Sequence, residues 1–307
     1  MRTNLKPAAV LCLLLSLAAC TDHDDERTAI PEGTPMTFRA EIARTSDESP
    51  ETRAENDIAT LADIDVETYD RSVFQSGDKI SISCYRGEAE KPLVSTAYTL
   101  TSDGKWDVPT ESTPLSFLPA TSFQAEFPTG YNSILSDQST AENFLMSNLL
   151  RTPKVPVIST TVSFTDGNAF NHENVKLTLK FTHPTETDAP VFTQMSVKGK
   201  GLRTGTSETT STDEAIQMLR PVAAELTWHA VIFPKNTATD TNPAPTTIHI
   251  SVTDANGTTY TADITCGMQA GNHYTYTLNI RNDILVATGE EIKGWASESR
   301  YEGGFNK

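Results

Sequence analysis

The chain of 307 residues carries 40 acidic and 24 basic side chains, which gives a formal net charge of −16. This charge argues against a nucleic-acid partner, because nucleic-acid binding depends mainly on lysine and arginine contacts to phosphate. It also argues against electrostatic attraction to anionic lipid, so any link to a membrane is expected to be covalent. The length is sufficient for two domains of ordinary size.

The amino terminus has the pattern of an export signal. Arg2 and Lys6 precede an apolar run over residues 8–17, which is too short to span a bilayer. The tetrapeptide Leu-Ala-Ala-Cys that ends at Cys20 resembles the lipobox of bacterial lipoproteins, which implies cleavage before Cys20 and lipid on its thiol. We therefore predict a lipoprotein signal peptide over residues 1–19 and a stable outer-membrane anchor, since several acyl chains hold a protein on a membrane. An ordinary secretory signal and a buried N-terminal helix are the alternatives.

An acidic tether, residues 20–35, is predicted to follow the anchor. Its first part, residues 22–26, holds four carboxylates. These residues resemble the surface-export signal of Bacteroidetes lipoproteins, which implies a location on the outside of the cell. A tether that is merely well solvated is the alternative.

Beyond the tether, apolar and polar residues alternate with a period of two, and this pattern predicts an all-β protein. Short strands with regular turn signals are typical of antiparallel β-sandwiches. A polar run with two prolines, residues 183–190, is where we place a domain boundary. We therefore predict two tandem sandwich domains over residues 36–184 and 185–307, with a short helix within residues 136–150.

The alternation is clearest over residues 175–183. The apolar side chains of this strand are expected to pack on a core, whereas Lys176 and Thr178 are expected to face solvent, as in a sheet with one wetted face. The last strand-like segments of the chain are residues 284–286 and 292–295.

Two cysteines are expected to remain in the folded domains. Cys12 belongs to the signal peptide and Cys20 to the anchor, which leaves Cys84 and Cys266. Each is in phase with the apolar residues of its strand and is expected to point into a core. Free cysteine is among the most buried residue types, so two free thiols are favoured over an inter-domain disulfide.

No arrangement of residues in the sequence indicates catalysis or metal binding. HExxH, GxSxG and Walker patterns do not occur, and the six histidines are scattered. His273 lies on the polar side of its strand and is expected to be solvated. Trp106, Trp228 and Trp295 have apolar neighbours two residues away, which favours core packing over sugar binding. We expect no catalytic residue, no cofactor and no metal site, and we predict that the chain is not an enzyme.

Nine short segments carry a family pattern. They are the lipobox at Cys20, Thr37-Phe38 to Ile42, Thr52-Arg53-Ala54, Phe74 to Ile80, Gly104-Lys105-Trp106, Asn143-Phe144-Leu145, Leu177 to His183, Ala270 to Leu278 and Ile292 to Trp295. Taken in order, these segments resemble the fimbrillins of Bacteroidetes, which are major-fimbria-like lipoproteins also known as type V pilins. The resemblance implies two transthyretin-like β-sandwiches and a location in a fimbrium at the cell surface.

The resemblance also implies a removable first strand. In the family mechanism, an arginine-specific protease cuts the lipidated precursor near its first strand, and a strand of the neighbouring subunit fills the groove left behind. In this chain the removable strand is residues 36–43, with Phe38, Ala40 and Ile42 facing inwards. A sandwich that lacks one strand gains backbone hydrogen bonds and apolar burial from an added strand, whatever its family.

The cutting site and the donor strand follow from the same resemblance. The cut would come after Arg53 or Arg44, and both lie in polar sequence of the kind that proteases attack. The donor would be the C-terminal segment, and its candidate residues are Ile284, Val286, Ile292 and Trp295.

Two functional hypotheses result. The first is a structural, minor or tip subunit of surface fimbriae, whose partners are other fimbrial subunits, an arginine-specific protease and the outer membrane through lipid on Cys20. The alternative is a surface lipoprotein that does not polymerise, keeps its first strand and binds a glycan or a host ligand.

Overall fold

The computed structural model describes residues 30–43, 65–182, 192–205, 212–222, 226–234, 245–281 and 284–295. Strands make up most of the regular structure, so the predicted all-β class is confirmed. The helices are α1 Val66–Tyr69, α2 Ala141–Ser147 and a 3₁₀ turn, Asp166–Asn168. The strands are β1 Thr37–Ala40, β2 Lys79–Arg86, β3 Val94–Leu100, β4 Trp106–Asp107, β5 Thr121–Phe127, β6 Leu150–Arg151, β7 Val155–Pro156, β8 Thr161–Phe164, β9 Asn171–His172, β10 Val175–Phe181, β11 Phe192–Lys200, β12 Asp213–Gln217, β13 Thr227–Ile232, β14 Pro245–Asp254, β15 Thr259–Gly267, β16 Asn272–Arg281 and β17 Ile284–Gly294.

Helix α2 lies inside the segment that was predicted to be helical. The side chain of Thr140 caps it by accepting a hydrogen bond of 3.2 Å from the backbone nitrogen of Asn143. Phe144 is buried and meets the ring of Tyr69, in α1, at a centroid distance of 5.4 Å. Both helices are short, and among the described residues no helix is long and apolar enough to cross a membrane.

The first sandwich is built from strands of the N-terminal half. Its larger sheet has the order β4-β3-β2-β5-β6-β9, with β7 beside β5, and β1 pairs with β8 in a second, two-stranded sheet. Both sheets contribute to one hydrophobic core. Ile80, Ile82 and Cys84 point into this core, as the alternation of β2 predicts.

The second sandwich consists of two four-stranded sheets. Their orders are β13-β10-β16-β17 and β12-β11-β14-β15. Inward side chains from both sheets, such as Leu177, Val197, Trp228 and Ile250, share a second core. The predicted burial of the tryptophans is confirmed, because Trp106, in the first core, is also buried.

Two strand pairs are parallel, which departs from the predicted antiparallel arrangement. β1 runs parallel to β8, and β10 runs parallel to β16. The partners in each pair are far apart in the chain, so no tight hairpin imposes an antiparallel direction on them. The hairpins β2–β3 and β14–β15 are antiparallel, as predicted.

Strand β10 belongs to the second sandwich, although the predicted boundary placed it in the domain 36–184. It pairs with β13 on one side and with β16 on the other. Residues 183–190, where the boundary was predicted, lie outside the described residues, and in the chain they come between β10 and β11 of this same sandwich. We therefore propose a boundary just before Val175.

The outer face of β10 is buried at Lys176 and Thr178, so the prediction that these two residues meet water is wrong, whereas Lys180 on the same face is exposed, as the alternation predicts. Lys176 and Thr178 are both inaccessible to solvent. The helical segment of the N-terminal half covers this face, because the ring of Tyr69 lies 5.8 Å from that of His229 in the neighbouring strand β13. Gln138 fixes the cover, since its side-chain amide bonds both the N–H and the C=O of Val231, at 2.7 and 2.8 Å.

A hydrogen-bonded cluster lies under this cover. The Thr178 hydroxyl lies 2.8 Å from Nδ1 of His229 and 2.6 Å from Nε2 of His273. His273 is therefore buried, whereas its place on the polar side of β16 had suggested a solvated ring. Buried polar groups need such partners, because a buried group without one costs free energy.

An ion pair joins the two halves at the edge of the same cover. Nζ of Lys176 lies 2.7 Å from Oδ2 of Asp70, which directly follows α1, and both side chains are completely buried. The indole N–H of Trp295 donates to Oδ1 of the same carboxylate at 3.1 Å. Two donors therefore face one buried carboxylate at the junction of the sandwiches.

Replacing one partner of this ion pair is expected to destabilise the fold. In Lys176→Met the Asp70 carboxylate stays buried without its counter-ion, which typically costs about 3–5 kcal/mol of unfolding free energy. The double variant Asp70→Asn/Lys176→Met removes both charges and should recover much of that loss. Urea denaturation monitored by circular dichroism measures each difference.

The matched control is the exposed ion pair of Lys105 and Asp103, which has the same N···O distance of 2.7 Å. Lys105→Met should leave the denaturation midpoint unchanged, because solvent screens an exposed pair. Equal effects of Lys176→Met and Lys105→Met would contradict the assigned role of the buried pair.

Candidate functional site

Strand β1 is held along its whole length by backbone hydrogen bonds to segments much later in the chain. Its residues pair with β8 in a parallel register in which Phe38 is opposite Val162. Before the strand, the N–H of Met36 donates to the carbonyl of Leu115 at 2.9 Å. After it, the N–H of Ala43 donates to the carbonyl of Phe170 at 2.9 Å. Removing β1 would leave backbone groups unpaired on both flanks.

The side chains of β1 fill a slot in the first core. Phe38 and Ile42 are buried, and Ala40 is partly buried against the same core. The ring of Phe38 lies 5.0 Å from that of Tyr98 and 5.4 Å from that of Phe123, both in edge-to-face geometry. These contacts place the three residues of the predicted removable strand on its inner side.

The predicted processing and anchoring residues lie outside the described residues. Arg44 follows Ala43, the last residue of the segment that contains β1, and Arg53 comes nine positions later in the sequence. Cys20 precedes the first described residue. The lipid anchor and both cutting sites therefore stay predictions.

Strand β17 is one continuous strand of 11 residues, whereas the sequence indicated two separate segments, 284–286 and 292–295. It pairs with β16 from end to end, with a register shift opposite Thr277 and Leu278. In the described part of the chain, β16 is its only strand partner, so β17 forms an edge of the second sandwich.

Most side chains of β17 are exposed, which separates the four donor-strand candidates into two kinds. Ile284 is 62% exposed, Ile292 is 53% exposed, and Val286 is partly exposed. Trp295, just after the strand, is almost fully buried. The strand is therefore held by its backbone pairing, by Leu285 and by this tryptophan rather than by a continuous apolar face.

Trp295 occupies a polar pocket between the sandwiches that the sequence did not indicate. Its indole stacks on the His172 ring at 4.0 Å, with an angle of 6° between the planes. Nδ1 of His172 lies 3.0 Å from the amide oxygen of Asn148, so Nδ1 carries the proton and donates. The two residues that contact its indole ring, His172 and Asp70, are separated from it by more than a hundred positions, and no local pattern pointed to them.

Burial determines the charge state of His172. Loss of solvent, and secondarily the nearby charge of Lys176, lowers the pKa of its imidazole from 6.5 to about 3. The ring is therefore neutral at physiological pH. A neutral ring can stack on the indole without placing a second positive charge beside Lys176.

Cys84 is a free thiol whose pKa is raised by burial, so it is a poor nucleophile. The side chain of Cys266 lies outside the described part of the structure. Within the described ranges, no group of three or more metal-ligating side chains occurs.

The lowered pKa of His172 predicts a specific loss of stability in acid. The unfolded chain binds a proton near pH 6.5 and the folded chain only near pH 3, so the contribution is complete above pH 6.5 and is lost as the pH falls through that window. Between pH 7 and pH 5 the free energy of unfolding should fall by about 2 kcal/mol more in the wild type than in His172→Gln. Urea denaturation at the two pH values measures both proteins, and equal pH dependence would refute the prediction.

Comparison with known proteins agrees with this architecture. A model of the fimbrillin-like family matches residues 52–295. No curated protein sequence matches the chain. The chain is similar to the crystal structure of a candidate cell adhesion protein from Bacteroides ovatus, with a TM-score of 0.58 and 18% identity over 87% of this chain and 99% of that one.

Two further solved structures are similar. A candidate cell adhesion protein from Bacteroides uniformis gives a TM-score of 0.53 and 17% identity over 86% of this chain and 99% of that one. The C-terminally truncated tip fimbrial protein Mfa3 from Porphyromonas gingivalis gives a TM-score of 0.47 and 11% identity over 86% and 100%. At these identities the two Bacteroides structures support the fold alone. The family model spans most of the chain, including nearly all of both sandwiches, and the chain therefore belongs to the fimbrillin-like family.

Proposed function

We propose that this protein is a subunit of a cell-surface fimbria, exported as a lipoprotein on Cys20 and assembled by strand exchange. Membership of the fimbrillin-like family supports the broader part of the proposal, a fimbrial subunit at the cell surface that is not an enzyme. The mechanism of assembly rests on the geometry of β1 and β17.

The observation that carries the mechanism is the position of β1. This short strand supplies apolar side chains to the first core and backbone hydrogen bonds to β8, whose paired residues lie 124 positions later in the chain. Its loss would expose an apolar slot together with unpaired N–H and C=O groups. A strand from another chain would gain both kinds of interaction by filling that slot.

The donor that fits this slot is β17. Ile284 and Val286 are two positions apart, the same spacing as Phe38 and Ala40, so both pairs place apolar side chains on one face of a strand. In the free subunit these two donor residues are exposed, so moving them into a slot would bury surface that now contacts water. Because the slot and the donor are different surfaces, such contacts join subunits head to tail and produce an open fibre.

Proteolysis would release β1. Arg44 and Arg53 are the candidate sites for an arginine-specific protease, and a cut after either would separate β1 from the rest of the chain. The covalent lipid on Cys20 would hold the precursor at the outer membrane until that cut.

A covalent lock on β1 should block assembly. The hydroxyl oxygens of Thr37, in β1, and Thr161, in β8, are 2.8 Å apart, so Thr37→Cys/Thr161→Cys places two thiols across the strand pair. In a fimbriated bacterial host, the oxidised variant should give no SDS-resistant ladder of subunits on gels, and reduction should restore the ladder.

The control for this lock is Ser83→Cys/Ser95→Cys. The two serine hydroxyls are 2.7 Å apart across β2 and β3, which are not expected to separate during assembly. This oxidised variant should form ladders like the wild type. Ladders from an oxidised β1–β8 variant whose disulfide is verified by mass spectrometry would refute strand removal.

The mature amino terminus gives a second test. Subunits from sheared fibres should begin at Thr45 or Ala54, as determined by mass spectrometry, because the cut follows Arg44 or Arg53. The variant Arg44→Lys/Arg53→Lys should accumulate as uncut precursor, whereas Arg39→Lys, within β1, should be processed normally. Fibre subunits that all retain acylated Cys20 and residues 36–43 would rule the mechanism out.

The alternative, a surface lipoprotein that does not polymerise and binds a glycan or a host ligand, is favoured by one observation. A cavity of about 490 Å³ lies between β3 and residues 112–118, and its lining includes Cys84, Val94 and Leu115. Its size is in the range of small-molecule sites. A chain with this function would keep β1 and form no ladders, so the two tests above also decide between the hypotheses.

A further inference from the structure

The C-terminal strand is nearly uncovered along its length but tightly held at its end. Ile284, Ile292 and the residues between Val286 and Ile292 are exposed, whereas Trp295 is buried between the sandwiches. Because this edge strand buries little apolar surface, its resistance to local opening depends strongly on the few side chains that are buried. Trp295 is the anchor at the C-terminal end of β17.

Three different interactions hold Trp295. Its indole N–H donates to Oδ1 of Asp70 at 3.1 Å, and its ring stacks on His172 at 4.0 Å. Its backbone N–H donates to the carbonyl of Gly271 at 2.6 Å. Asp70 and His172 both come from the N-terminal half, so this tryptophan ties the last strand of the second sandwich to the first half of the chain.

Breaking the hydrogen bond between the Trp295 indole and Asp70 costs substantial free energy. The carboxylate is completely buried and already pairs with Lys176 at 2.7 Å. A hydrogen bond to a charged buried group is stronger than one between neutral groups, and withdrawing the indole would leave one carboxylate oxygen with a weaker set of partners. The stacked imidazole would lose its aromatic neighbour at the same time.

We propose that Trp295 is a latch that keeps the C-terminal strand docked on its own subunit, and that this latch must open before the strand can enter another subunit. The purpose of the latch rests on the proposed function, but the latch itself is a property of the single folded chain. It adds to the barrier against release of β17 that comes from backbone pairing, from the buried Leu285 and from the side-chain hydrogen bonds of Thr288 and Glu290.

Hydrogen exchange of the monomeric precursor tests the latch without any assembly. Trp295→Phe keeps an aromatic ring but removes the indole N–H and part of the stacking area, so backbone amides of β17 and of their partners in β16 should exchange about tenfold faster or more, at least the effect of one lost hydrogen bond to a charged group. Amides of β2 and β5, in the first sandwich, should exchange at the wild-type rate.

Trp106→Phe is the matched control, because it shortens a buried tryptophan of the first sandwich, away from the junction. It should leave exchange in β17 unchanged. The proposal is overturned if Trp295→Phe leaves exchange in β17 at the wild-type rate, or if it accelerates exchange equally in both sandwiches. If Trp295→Phe does not fold, His172→Gln removes the stacking partner instead, and the same backbone amides should exchange faster. A wild-type exchange rate of the β17 amides in His172→Gln would likewise overturn the proposal.

The latch and the proposed function fail in distinguishable ways. If deletion of residues 284–295 abolishes SDS-resistant ladders but Trp295→Phe leaves exchange unchanged, strand donation stands and the latch is refuted. If Trp295→Phe accelerates exchange in β17 but the deletion leaves laddering intact, the latch stands and donation by β17 is refuted.

Discussion

The two halves of this protein depend on one buried charge, the carboxylate of Asp70. Burying an ion pair costs much of what the attraction returns, so the contact with Lys176 is not expected to add greatly to net stability. Its effect is on geometry: the carboxylate accepts from Lys176, in β10, at 2.7 Å and from Trp295, just after β17, at 3.1 Å. If the two halves moved apart, the buried Asp70 carboxylate would lose its pairing with Lys176. The end of α1, the buried part of β10 and the C-terminal end of β17 meet at this carboxylate.

A second constraint concerns β1, which completes the first core from a position 124 residues before its strand partner β8. Phe38 reaches the rings of Tyr98 and Phe123 from a strand of only four residues. Four residues can make few ladder bonds, so the side chains contribute a large share of the strand's binding. A strand that replaced β1 would need apolar residues at alternate positions to fill the core. The identity of its polar residues would matter little.

Much of the fold follows from local sequence pattern. The features that could not be predicted share one cause, which is that they depend on contacts between residues far apart in the chain. Alternation identified β2, β10 and β16, since each has one face on a core, and the Ser/Asp-rich start of residues 136–150 indicated α2. The burial of Lys176 was not predictable, because its cover comes from residues more than 30 positions away and its partner is 106 positions away. The slot around Phe38 could be predicted, but the pocket around Trp295 depends on contacts between the halves.

The short segment around Phe170 lies next to both ends of the proposed exchange. Its backbone accepts from Ala43 and donates to Glu41, at 2.9 and 3.0 Å, and two residues later His172 stacks on Trp295. A chain that loses residues 36–43 therefore also loses both of these hydrogen bonds, which lie two residues before the histidine. The acceptor slot and the contact that holds the donor strand are thus only two residues apart, at Phe170 and His172. In the proposed assembly, one cut would therefore open the acceptor slot and also remove backbone contacts close to the tryptophan that holds the donor strand.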